Sequence, residues 1–86
     1  MTTTPNMKRA TLIAKSVMET LDNPFNIMSN TQAVSHNLIE VKIIDRNAED
    51  VKKIMDRNYC ESLVLYTESS EDGVTKLTYN CYPFMD

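Results

Sequence analysis

Residues 38–82 read LIEVKIIDRNAEDVKKIMDRNYCESLVLYTESSEDGVTKLTYNCY, and this stretch decides the fold. Leu38–Ile44 alternates: Ile39, Val41 and Ile43 share one face, and Glu40 and Lys42 point the other way. That period of two predicts a strand. The pattern then shifts to helical spacing. Asn47 is placed to cap a helix, with Glu49 and Asp50 in the first turn and Lys53 and Arg57 in the last, an order that suits the helix dipole. Ala48, Val51, Ile54 and Met55 form its apolar stripe. Asn58 is placed for a left-handed stop.

Two further strands follow, over residues 62–68 and 74–82, joined by the Ser69-Ser70-Glu71-Asp72-Gly73 turn signal. The loop has two residues (Asp72-Gly73) or four (Ser70 to Gly73). Either register puts Val64 and Tyr66 on the face of Leu77, Tyr79 and Cys81. Leu63, Leu65 and Thr67 then share the opposite face with Lys76, Thr78, Asn80 and Tyr82.

Toward the amino terminus, Thr4 and Pro5 read as the cap and first residue of another helix, after a frayed Met1 to Thr3. Ala10, Ile13, Ala14, Val17, Met18 and Leu21 make its stripe, and Asn23-Pro24 ends it near Asp22. Residues 25–37 read two ways. Phe25 and Ile27 alternate as in a short strand, and Ser29 or Asn30 can cap a helical turn reaching Val34.

These elements predict an α+β fold, a small two-layer α/β sandwich. An N-terminal helix precedes β-α-β-β, with a three-stranded mixed sheet in one domain spanning 1–86 and a tail at 83–86. The first two strands are expected to be parallel, linked by a right-handed crossover. The last strand flanks the second or inserts between the other two.

Composition narrows the chemistry. The chain has 86 residues, 42% hydrophobic and 24% charged, with a net charge of −3. A chain this short buries only roughly 60% of its unfolded surface. The acidic balance disfavours a phosphate-backbone binder. No apolar run approaches the ~18 residues of a membrane span. With Cys60 and Cys81 as the only cysteines, the expectation is a reduced cytoplasmic setting, in a bacterial or infected host cell, with free buried thiols.

There is no Gly-rich phosphate loop, no metal-ligand cluster and no nucleophile–base pair, so neither cofactor nor enzyme activity is expected. His36, the only histidine, lacks an orienting partner and reads as a solvated loop residue. The segment from Glu68 to Gly73 loosely mimics a calcium loop but has Glu68 in first position and Tyr79 in twelfth, so it reads as a solvated hairpin tip. Asn23-Pro24-Phe25 matches a three-residue endocytic pattern, but three residues recur by chance and a turn explains them. No motif is specific enough to place the chain in a family, although the single Gly, the abundant Asn and Met and the acidic balance have the style of small phage-type accessory proteins.

What stands out is apolar surface. Leu63, Leu65 and Tyr82, with Phe84 and Met85 of the tail, are surplus to a minimal two-layer core, and residues 25–37, the tail or another chain could equally cover them. The expected function is a protein-interaction module, a homodimer or an inhibitor or regulator of a larger protein. Those side chains and Thr78 would supply affinity, and Glu68, Glu71 and Asp72 would steer a basic partner. The alternative is a nucleic-acid or nucleotide binder using Arg46, Lys52, Lys53 and Arg57.

Overall fold

The computed structural model describes residues 5–81. The Thr4 cap, the fraying of Met1 to Thr3, the Tyr82 end of the last strand and the tail through Phe84 and Met85 lie outside the described residues. The order of elements is α1 (Pro5–Asp22), β1 (Asn30–Ser35), β2 (Leu38–Ile44), a 3-10 turn (Asp45–Asn47), α2 (Ala48–Tyr59), β3 (Leu63–Glu71) and β4 (Val74–Cys81).

The strands form one four-stranded sheet in the order β1-β2-β4-β3, and every neighbouring pair is antiparallel. This corrects the three-stranded mixed sheet on two counts. First, β2 and β3 do run the same way, but β4 inserts between them, so no parallel ladder forms. Second, residues 30–35 supply a strand, whereas a helical turn or a strand around Phe25 and Ile27 was expected there. Only Thr31 and Ala33 of β1 face inward, so its own apolar signal is weak; pairing with β2 through the His36-Asn37 turn imposes the conformation. In that turn the Ser35 hydroxyl donates to Asn37 Oδ1 (2.9 Å) and accepts from the Asn37 N–H (3.3 Å).

Helix α1 lies against β1 and β2, and α2 contacts β3. The core between helices and sheet contains Ala10, Ala14, Val17 and Leu21 of α1 and Val51, Ile54 and Met55 of α2. From the strands come Ile39, Val41, Ile43, Leu63, Leu77, Tyr79 and Cys81. The helical stripes are where their periodicity puts them except at Met18, which was expected in the α1 stripe but is exposed: one residue past Val17 it sits about 100° round the helix, at the margin of the buried side. Ser16 Oγ and Thr20 Oγ1 lie 3.0 and 3.1 Å from the Tyr59 hydroxyl, tying the end of α2 to α1.

Helix ends differ in detail from expectation. Asn47 occupies the N-cap of α2, but its backbone is helical (φ −93°) and its side chain makes no capping bond, because the 3-10 turn leads directly into the helix. Asn58 is not a left-handed stop. The helix continues through Tyr59, and Asn58 Nδ2 donates to the Ile54 carbonyl (2.9 Å).

The β3–β4 turn is the two-residue form, with Asp72 at φ 56° and Gly73 at φ 80°. Positive φ at both positions marks a type I′ turn, whose twist matches that of the paired strands. The Gly73 carbonyl accepts from the Asp45 N–H (3.0 Å), and the Thr75 hydroxyl donates to Asp45 Oδ1 (2.6 Å), so the hairpin tip is tied to the end of β2.

Both cysteines are free; Cys81 is buried, but Cys60, just past α2, is exposed, against the expectation that both are covered. A thiol-reactive disulfide reagent should therefore modify Cys60 at once and Cys81 only at the rate of unfolding. Equal rates for the two would show that the core around Cys81 is open.

Candidate interaction surfaces

Strict alternation back from the Asp72-Gly73 turn holds as far as Thr67, which pairs with Thr78. There the register shifts, and Leu65, not Tyr66, pairs with Tyr79. Tyr66 is an inserted residue, a β-bulge that inverts the alternation for the rest of the strand. Leu63 therefore faces the helices at 4% exposure, while Val64 faces away. The expected placement of Leu63 and Leu65 on the open face is corrected. Leu63 belongs to the core, and Leu65 lies on the helix side at the sheet edge, half-exposed beside Tyr79.

The acidic residues of the expected site are also separated. Glu68 sits on the helix side, where Lys52 Nζ of α2 lies 3.1 Å from its Oε1 and 3.0 Å from Glu49 Oε2. These two carboxylates raise the Lys52 pKa, through hydrogen bonds first and charge second. Glu71 lies opposite Val74 on the other face, and Asp72 is in the turn. Tyr82, Phe84 and Met85 lie outside the described residues. His36 is exposed in the β1–β2 turn.

Both helices occupy one face of the sheet, and no described element crosses the other. The register assembles that open face in cross-strand rows. One row is Gln32, Glu40, Thr78 and Thr67; the next is Asn30, Lys42, Lys76 and Ser69. Glu40 lies 3.7 Å from Lys42 and 3.6 Å from Lys76, so the centre is a small charge cluster in which one carboxylate stands between two ammonium groups. Apolar groups occupy the ends. Ile44 and Val74 pair at one end, and Leu38 and Val64 flank Asn80 at the other. Tyr66 is 62% exposed at the bulge beside Val64. Asn80 Oδ1 is buried and finds no donor among the described residues. A buried acceptor left without a donor costs about 1–3 kcal/mol.

The cations of the alternative reading also separate. Lys52 is engaged by Glu49 and Glu68. Lys53 and Arg57 instead line a cleft of about 450 Å³ between α2 and the turn after α1, together with Asp50, Asn47, Phe25, Asn26, Ile27 and Ile54; Arg46 is not part of it. Sequence spacing placed Lys53 and Arg57 on one side of α2, but residues 25–27 are brought opposite them only by the path of the chain after α1. Among the described residues no three His, Cys, Asp or Glu side chains cluster in a way that could hold a metal ion. No helix there is long and apolar enough to cross a membrane. The chain matches no protein-family model, no curated protein and no solved structure.

Proposed function

We propose that this chain is a protein-interaction module that associates with a second copy of itself, open sheet face to open sheet face. The observation that carries this reading is the sheet face that no described element crosses, with Val64, Tyr66, Ile44 and Val74 exposed and Asn80 Oδ1 buried without a donor among the described residues. Apolar groups at both ends of a sheet face are suited to sheet-on-sheet packing. Four strands about 4.8 Å apart and roughly seven residues long give a face of about 19 by 23 Å, or roughly 870 Å² over two copies, the size of a weak, reversible association.

Charge on this face permits a like partner. The chain as a whole carries −3, which repels a second copy. On this face Glu40 and Glu71 stand against Lys42 and Lys76, so two copies meet here without net repulsion. Steering of a basic partner has less support, because Glu68 is already paired with Lys52.

The test is solution mass by light scattering over a concentration series, for the parent chain and for Val64→Asp and Val74→Asp. Both positions are about half-exposed at opposite ends of the face, so the variants should stay folded. The parent should reach twice the chain mass. Each variant should weaken association about 100-fold, since a two-fold interface buries two unpaired carboxylates. A parent that stays monomeric at millimolar concentration removes the reading, as does a dimer that both variants leave intact.

A further inference from the structure

The cleft between α2 and the turn after α1 is separate from the open sheet face and is chemically richer. Lys53 and Arg57 lie one helical turn apart on α2, and both line it. The ion pairs among the described residues are Glu40 with Lys42 and Lys76, and Lys52 with Glu49 and Glu68; none engages Lys53, Arg57 or Asp50. Two uncommitted cations therefore face one concavity. Phe25, about 41% exposed as a residue, lines the same cleft, and Asn26 and Asn47 add two amides. The Asn47 amide is not spent on capping α2.

We propose that this cleft binds a nucleoside monophosphate. Each group matches one part of such a ligand. Lys53 and Arg57 receive the phosphate, Arg57 with the paired donors that suit phosphate oxygens. Phe25 offers a face for the base to stack on. The Asn26 and Asn47 amides supply the donors and acceptors that base edges need. Asp50, three residues before Lys53, accepts from the ribose hydroxyls. The volume of about 450 Å³ lies within the range of small-molecule sites. A free nucleotide is favoured over a strand, because the chain's charge of −3 opposes a polyanion, whereas two local cations suffice for one phosphate.

The experiment is a titration of the full chain with adenosine and uridine monophosphate, followed by amide chemical shifts. Inorganic phosphate, adenosine and a short single-stranded oligonucleotide are titrated in parallel. Nucleotide should shift the amides of Asn26, Asn47 and residues 50–57 while leaving the sheet unchanged. Phosphate alone and adenosine alone should each bind about tenfold more weakly, because each keeps half of the contacts. Lys53→Gln and Arg57→Gln should each weaken nucleotide about tenfold, and Phe25→Ala about fivefold; the spectra of the free variants report that they fold. Absence of shifts at millimolar nucleotide overturns the proposal. Phosphate binding as tightly as nucleotide would mean an adventitious anion site. Tighter, steeply salt-dependent binding of the oligonucleotide would mean a nucleic-acid surface.

Discussion

Leu63→Asp should unfold the protein, and Val64→Asp, one residue on, should leave it folded. The two side chains differ by one methylene and are neighbours in sequence. Leu63 is 4% exposed and pairs with Cys81 on the helix side, whereas Val64 is 46% exposed on the open face. Replacing Leu63 removes a core side chain, at roughly 2–5 kcal/mol, and buries an unpaired carboxylate, at several more. Against a total stability of about 5–15 kcal/mol, that sum leaves little folded protein at neutral pH. Circular dichroism and an amide correlation spectrum of each variant check the pair. The converse result would mean that the strand runs without its bulge and that Val64 belongs to the core.

The second large effect is on the alkaline side. Tyr79 is 4% exposed in the central strand β4, and its pKa is pushed up to about 12 from 10.0. Burial is the main cause; Lys52 pulls the value down, and Glu68 and Asp56 add to the rise. The folded state holds its phenol neutral while the unfolded chain ionises, so stability is intact below about pH 10 and falls as pH rises toward 12. Two pH units of difference correspond to a loss of about 2–3 kcal/mol.

Two other groups act in the same direction. Burial pushes the Cys81 thiol above 9.0, with Arg9 opposing, so its contribution begins to be lost as pH passes that value. Lys52 is raised by its carboxylates, so its contribution is complete below 10.5 and is lost as pH rises through the folded value. Tyr79→Phe isolates the phenol. Denaturant unfolding at a series of pH values should show a shallower alkaline decline in that variant than in the parent. Identical slopes would show that Tyr79 ionises in the folded chain as readily as in the unfolded one.

The elements whose signal is local were legible. Pro5 and Asn23-Pro24 bracket α1, the stripes of α1 and α2 specify their buried sides, and Ile39, Val41 and Ile43 mark the inward face of β2. Asp72-Gly73 marked the hairpin while leaving a two- or four-residue loop open; the structure selects the two-residue form, in which both residues take positive φ. Of the expected binding residues, Glu71 and Thr78 do lie on the open face. The cations at Lys53 and Arg57 were visible as a helical pair, but their aromatic counterpart at Phe25 was not, since no periodicity links residue 25 to residue 57.

Chain order and periodicity therefore specify two amphipathic helices, two of the strands' inward faces and the place of the hairpin, because each depends on neighbours within a few residues. Three features depend on packing across the sheet. Strand β1 carries too little apolar contrast to declare itself and forms because β2 offers a free edge. The position of β4 between β2 and β3 is equally compatible with the connections and is settled by which ladder covers the core. The run Leu63-Val64-Leu65-Tyr66 is apolar on both parities, so alternation cannot select its face. The bulge at Tyr66 makes that selection by fitting Leu63 between the helices and Cys81, and so determines which side chains remain for a partner to meet.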